Sequence, residues 1–242
     1  MKSILIVLDA NHGNEGCLPV ALDLTRALRG HLTCVDTAAR SQRDHAVECC
    51  ALEDVSCEWI MATGEPGSAP VENLAFADLL VTSPPASNLF DPDLPRVTSD
   101  ATVGRNLPVL VVPKDRKRLD VTGHVLVAWD GSKAALAALR CAIPLLALSR
   151  QVTLLEIDDR QSGPSAEAAA LCLSRYGISA AIDRVHSLHR PTADLIEGHA
   201  ASLGAAYIVM GAYGHNRMRE LFCGGVTRRM LDKSSYPLFL AH

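Results

Sequence analysis

Aromatic residues are scarce: phenylalanine, tryptophan and tyrosine together make up 4% of the 242 residues. That leaves too few rings for a stacking platform on which single-stranded nucleic acid could lie. The net charge of −4 gives no general attraction to nucleic acid or to an anionic membrane. No apolar run approaches the ~20 residues of a membrane-spanning helix. The opening MKSILIVLDA is too short for a signal-peptide core and is closed by Asp9, so it reads as a first strand. None of the eight cysteines (17, 34, 49, 50, 57, 141, 172 and 223) belongs to a CxxC pair. Several sit inside apolar runs, as small core residues do, which favours free thiols and a reducing, cytoplasmic setting. There is no GxSxG or HExxH and no evident nucleophile–base pair, so an efficient hydrolase is not indicated.

What the chain does have is apolar residues, 48% of the total and enough for a substantial core, in short runs that alternate with helical patterns. In the first half the strands expected are Ser3–Leu8, His31–Val35, Cys57–Ala62, Leu79–Thr82 and Pro108–Val112. Helices are expected over Cys17–Arg29, Arg43–Leu52, Pro70–Phe76 and Val97–Arg105, and the proline-rich 83–95 reads as a loop. Lys114–Asp120 is the most charged stretch and reads as a solvated linker between two units. In the second half the expected strands are His124–Trp129, Val152–Ile157, Ser179–Val185, Tyr207–Met210 and Tyr236–Ala241. The helices between them are expected over Lys133–Leu148, interrupted near Pro144, and over Ser165–Arg175, Pro191–Leu203 and Val226–Leu231.

The two halves repeat one plan. SILIVLDA (3–10) matches HVLVAWDG (124–131), ADLLVTS (77–83) matches AYIVMGA (206–212), and LPVLVVP (107–113) matches YPLFLAH (236–242). Alternating strands and helices imply parallel strands joined by helical crossovers. The fold class expected is therefore α/β, as two tandem doubly wound, Rossmann-like domains over 1–121 and 122–242. Ligands of such sheets sit at the carboxyl ends of the strands, at the switch point, and Asp130 and Gly211 both fall there.

The stretch that carries chemistry is AYIVMGAYGHNRMRELFCGGVT, residues 206–227. A buried run stops at Gly211, Gly214 follows, and Gly224-Gly225-Val226-Thr227 opens a helix. Glycine lets backbone N–H groups point into a concavity, and the first amides of a helix lack internal partners and carry the positive end of its dipole. A lone glycine pair would be an ordinary loop, but four at this spacing between strand and helix suit phosphate. Residues 1–121 hold 11 Lys+Arg against 17 Asp+Glu, whereas 122–242 hold 12 against 10, so the positive excess lies with the glycine loop. Arg217, Arg219, Arg228 and Arg229 flank it.

Strand–Asp130-Gly131-Ser132, then Gly211-x2-Gly214-x9-Gly224 before a last strand, resembles a universal stress protein domain. Two such halves resemble the tandem universal stress proteins of bacteria. The resemblance implies a cytoplasmic, nucleotide-binding protein of stress response or signalling, with ATP as ligand, Mg2+ with it or not, and at most slow hydrolysis. It implies that Ala128 and Asp130 line the adenine and ribose, that Ile157 packs the adenine, and that Met210 and Gly211 contact the nucleoside. Gly214 and the segment Gly224, Gly225, Val226 and Thr227 would cradle the phosphates. Gly225 stands where the family has Ser or Thr, which removes one hydroxyl donor.

The first half departs further: Ala10-Asn11 replaces Gly-Ser, and Thr82-Ser83-Pro84-Pro85 stands where Gly211 and Gly214 would have counterparts. Proline has no N–H and a fixed φ, so that segment cannot form the same amide cradle. The first half therefore reads as a degenerate copy kept for packing or partners. The resemblance also implies pairing of the two halves through 108–112 and 237–241, with homodimerisation open, and no nucleic-acid or membrane partner. His186-x2-His189 reads as a loop pair, since no third ligand is nearby in sequence. The alternative to nucleotide binding is a protein-interaction module of the same fold.

Overall fold

The computed structural model describes residues 1–8, 17–36, 41–61, 75–84, 107–158, 163–212 and 225–242. The chain divides into two compact units, Met1–Leu119 and Asp120–His242.

The first unit contains β1 (Ser3–Leu8), α1 (Cys17–Leu28), β2 (His31–Asp36), α2 (Ser41–Leu52), β3 (Cys57–Met61), β4 (Leu79–Thr82) and β5 (Val109–Val111). Its strands run parallel in the order β3-β2-β1-β4-β5. Ile4, Leu5, Ile6, Leu32, Leu79, Leu80 and Leu110 are buried almost completely. Strands covered on both faces carry continuous apolar runs, which is why these segments show little alternation. Helix α1 packs on β1, β2 and β4 and buries Val20, Ala21, Leu24 and Leu28. Of the helix expected over 70–76, Ala75 and Phe76 instead form a turn, and residues 70–74 lie outside the described residues, as does the helix expected over 97–105.

The charged stretch before residue 121 is more than a solvated linker. Lys114, Asp115 and Lys117 are exposed, but Leu119 is buried. The Asp23 carboxylate of α1, 6% exposed, accepts from Arg26 Nη2 and Arg118 Nη1 at 2.9 Å each and from the Leu119 amide at 3.0 Å. A charge run hides such an anchor, because its solvated members outnumber the two residues that are held.

The second unit contains β6 (His124–Trp129), α3 (Lys133–Leu146), β7 (Gln151–Ile157), α4 (Ala166–Ser174), β8 (Ala180–Val185), α5 (Thr192–Leu203), β9 (Tyr207–Gly211), α6 (Gly225–Lys233) and β10 (Leu238–Ala241). Its parallel strands run β10-β9-β6-β7-β8. In chain order within the unit this is 3-2-1-4-5 read from the other edge, the same order as in the first unit. Both are doubly wound α/β sheets. The chain steps outward from β6 to β7 and β8, then crosses back to β9 on the other side of β6. The switch point lies between β6 and β9.

Helix α3 is built for close approach. Its buried face is Ala134, Ala135, Ala138, Leu139, Ala142, Leu145 and Leu146, largely small residues. It packs against β6, β9 and β10. Ser132 caps it, its Oγ accepting from the Ala135 amide at 3.1 Å. Pro144 lies in the last turn, where the lost N–H costs little regular structure and the helix stops two residues on.

Candidate functional site

Parallel strands all end on the same edge, so the residue after each strand shares a rim with its neighbours. Ala128 and Met210 are register partners on β6 and β9, and Ala128 also faces Leu155 on β7. Ala128 is half-buried and Met210 is 5% exposed. One step on, Asp130 leaves β6 and is exposed, while Gly211 ends β9 opposite Ala241. Ile157 ends β7, half-buried, paired with Val185. The fold thus gathers Ala128, Asp130, Ile157, Met210 and Gly211 at the carboxyl edge of three adjacent strands. Gly214 and Gly224 lie outside the described residues.

Gly225, Val226 and Thr227 form the first turn of α6, with Gly225 exposed, Val226 half-buried and Thr227 6% exposed. As the crossover from β9 to the parallel β10, α6 starts on the carboxyl side of the sheet and runs back along it. A β-carbon at Gly225 would meet nothing within 4 Å among the described residues. The missing hydroxyl therefore reflects the residue present rather than any lack of room.

Gly211 is constrained by packing. A β-carbon there would stand 2.5 Å from the Ala135 nitrogen, 2.6 Å from the Ala134 carbonyl carbon and 2.9 Å from the Ala134 β-carbon. The alanine face of α3 and the glycine at the end of β9 together bring the helix start onto the strand. The opposite wall uses the same device. Gly131 takes a left-handed φ of 70°, and a β-carbon on Gly163 would lie 2.1 Å from the Gly131 oxygen. The Trp129 indole donates to the Pro164 carbonyl at 3.1 Å and fixes this contact. Asp130 Oδ1 accepts from the Ser132 amide at 2.9 Å, which orients the carboxylate over the start of α3.

Sequence reasoning missed the charged group beside this edge. Glu156, 5% exposed in β7, accepts from Arg184 Nε of β8 at 2.9 Å, and Arg184 also binds Glu167 at the start of α4. The Arg184 hydrogen bond, then the Glu167 amide and Ser165, hold the Glu167 carboxyl down at about 2. Only the strand register reveals this trio, since Glu156 and Arg184 are Cα partners 28 residues apart. The four arginines expected around the glycine loop divide differently. Arg217 and Arg219 lie outside the described residues. Arg229 is drawn to Asp194 of α5 at 2.8 Å, and Arg228 pairs along its own helix with Asp232 at 3.8 Å. His186 and His189 are exposed in the turn after β8, with His189 in a left-handed conformation. Among the described residues, no group of three or more His, Cys, Asp and Glu could hold a metal ion, and no helix is long and apolar enough to cross a membrane.

The universal stress protein family model matches residues 122–242. The chain belongs to the universal stress protein family, and that membership supports a role in stress response. No curated protein matches the chain. Among solved structures, a universal stress protein from Archaeoglobus fulgidus DSM 4304 is similar at 16% identity, over 99% of this chain and 97% of that one, with a TM-score of 0.72. A functionally unknown protein from Pseudomonas aeruginosa PAO1 is similar at 18% identity, over 100% of this chain and 92% of that one, with a TM-score of 0.62. At such identities the likeness is one of fold.

Proposed function

We propose that the second unit binds one adenine nucleotide, ATP with or without Mg2+, at the carboxyl edge between β6 and β9, as a regulatory ligand in stress response. The observation that carries this is the meeting of Asp130, Met210 and Gly211 at the switch point, where α3 starts. An exposed carboxylate suits ribose hydroxyls, and the half-buried Ala128 and Ile157 suit an adenine face. The first amides of α6, with Thr227, suit phosphate. Mass spectrometry of material released from the purified protein tests this, together with calorimetry against Mg-ATP. A released nucleotide, or a saturable heat at one site per chain, is the expected result. Neither appearing would overturn it.

The first unit, in this proposal, is a second universal stress protein fold that no longer binds nucleotide. Its strand order supports that reading, and so does its switch point. There the Cys17 thiol and Ser83 hydroxyl share a buried hydrogen bond of 3.0 Å, followed by Pro84. We place the protein in the cytoplasm, able to homodimerise. A second reading, a protein-interaction module without nucleotide, is favoured by the packing role of Gly211, which explains that glycine without a ligand. The calorimetry separates the two.

A further inference from the structure

Four polar side chains converge at the outer edge of the first unit, where β2 and β3 begin side by side. In the ladder Leu32 lies opposite Cys57 and Thr33 opposite Glu58. The His31 amide donates to the Lys2 carbonyl at 2.7 Å, and the Leu32 amide donates to the Ser56 carbonyl at 2.9 Å. Side chains alternate between the faces of a strand, so His31 and Thr33 share a face with Ser56 and Glu58. Ser56 Oγ lies 2.8 Å from His31 Nδ1. His31 Nε2 stands 3.8 Å from Glu58 Oε1, and that same oxygen accepts from Thr33 Oγ1 at 2.9 Å. Thr33 is 6% exposed, whereas His31 is half-buried and Ser56 and Glu58 are exposed. A hydrogen bond that only fastened β3 to β2 would need neither a carboxylate by the far ring nitrogen nor a buried hydroxyl holding that carboxylate. Spacing along the chain does not show the group, because Ser56 and His31 are 25 residues apart.

We propose that Ser56 is a nucleophile, with His31 as its general base, that takes the acyl group of small activated carboxylic esters. The Glu58 carboxylate favours the imidazole tautomer with its proton on Nε2, which leaves Nδ1 to accept from the Ser56 hydroxyl. Glu58 and Thr33 are therefore positioning residues. A hydroxyl, a base that takes its proton and a third group that orients the base together activate a serine. As Ser56 Oγ bonds to the ester carbonyl carbon, its proton passes to Nδ1. The tetrahedral adduct collapses, the bond to the leaving oxygen breaks, and the leaving group departs as its anion. His31 then releases the proton to solvent. Ser56 carries the acyl group until water, with His31 again as base, attacks the same carbon and frees the carboxylic acid. Over both steps one ester and one water become one acid and one alcohol. The substrate class follows from exposure. At an open edge water meets the developing oxyanion, without the gain that enclosed donors give. The leaving group must therefore be a good one, a phenol rather than an aliphatic alcohol. This inference is independent of the nucleotide reading, since its residues belong to the first unit.

The test adds p-nitrophenyl acetate to the full chain, follows release of p-nitrophenolate, quenches in acid and locates acetyl groups in tryptic fragments. Trypsin leaves residues 44–96 as one fragment, whose serines are Ser56, Ser68, Ser83 and Ser87. We expect acetyl on Ser56 and not on the other three. Ser56→Ala should abolish that label. His31→Gln should slow it by about 100-fold, and added imidazole should restore part of the rate. Nitrogen NMR of the parent should show the His31 ring with its proton on Nε2. Glu58→Gln should raise the share of the Nδ1–H tautomer and slow labelling together, which a merely structural carboxylate would not do. His31, Ser56 and Glu58 all reach the surface, so these substitutions leave the core untouched. A parent chain without acetyl on Ser56, or with equal labelling of the four serines, would overturn the proposal. So would labelling of His31→Gln at the parent's rate, or a parent ring carrying its proton on Nδ1.

Discussion

Gly211 and Ala135 touch backbone to backbone: a β-carbon on the first would fall 2.5 Å from the amide nitrogen of the second. The end of β9 and the first turn of α3 therefore depend on one another before any ligand arrives. Gly211→Ala should destabilise the chain by about 1–3 kcal/mol, as overpacking of a close contact does. Urea unfolding of the variant beside the parent measures it. An unchanged midpoint would mean that helix and strand can separate without loss.

Gly225 is the contrasting glycine, with nothing among the described residues within 4 Å of where a side chain would begin. Gly225→Ser should leave the fold intact and stabilise α6 by about 0.5 kcal/mol, since serine is the better helix former. On the proposed function it should also tighten ATP binding several-fold by restoring a hydroxyl donor. Calorimetry with Mg-ATP reads the second effect, and weaker binding would count against a phosphate at the start of α6.

One nucleotide per chain is expected, and Asp130 should control it. A hydrogen bond to a charged group contributes about 1.5–3 kcal/mol, so Asp130→Ala should weaken binding by on the order of tenfold or more. Asp130→Asn keeps an acceptor for the Ser132 amide and separates loss of charge from loss of the turn. Asp9→Ala should change nothing. Two equivalent sites in a titration, or equal losses at Asp9 and Asp130, would remove the asymmetry between the halves.

Acid should act on the Glu156–Arg184–Glu167 trio. Glu167 is lowered from an ordinary 4.5 to about 2, chiefly by its hydrogen bond from Arg184. A carboxyl held low in the folded state stabilises above its unfolded pKa and loses that contribution as pH falls through the folded one. The window is therefore pH 4.5 down to about 2. Glu167→Gln should flatten the decline of stability across that window by lowering stability above it toward the acid value, and only slightly, because the pair is exposed to solvent. Denaturation midpoints between pH 2.5 and 6 check this, and parallel curves for parent and variant would refute it.

Asp23 should protect the chain between the units. Asp23→Ala leaves the buried Leu119 amide without its carboxylate partner, at a cost of about 1–3 kcal/mol. It also leaves Arg118 with its longer pairing to Glu53, at 3.6 Å. Limited trypsin digestion should cut the variant at 116–118 faster than the parent, and equal rates would show that the anchor does not hold this segment.

Much of the fold was legible because parallel strands buried on both faces leave plain apolar runs: Ser3–Leu8, Leu79–Thr82 and His124–Trp129 begin and end where they were expected. Gly204 could be read as the stop of α5 and does take the left-handed C-cap, with φ 60°. Weakly patterned segments were harder. The turn at Ala75–Phe76 stands where a helix was expected, and Arg118 hid its anchor inside a run of charge. At the candidate site, Asp130 and Gly211 were found from strand ends and glycine spacing. That reasoning could not foresee that Gly211 answers to Ala134 and Ala135, because the reason lies on a helix more than seventy residues earlier. Glu156, Arg184 and Gly163 escaped for the same cause: their partners are set by register and close approach, which composition does not record.

The chain has two tryptophans, and they fall one to each unit: Trp59 in β3 and Trp129 in β6. The indole N–H of Trp129 is tied to the Pro164 carbonyl, while that of Trp59 is buried without a hydrogen-bond partner among the described residues. The protein thus carries a separate optical reporter in each half. Replacing either indole by phenylalanine leaves the emission of the other alone, so the melting of the two halves can be followed one at a time in the intact chain. Trp129, one residue before Asp130, is placed to register by quenching whatever settles on that rim, with Trp59 as the internal reference.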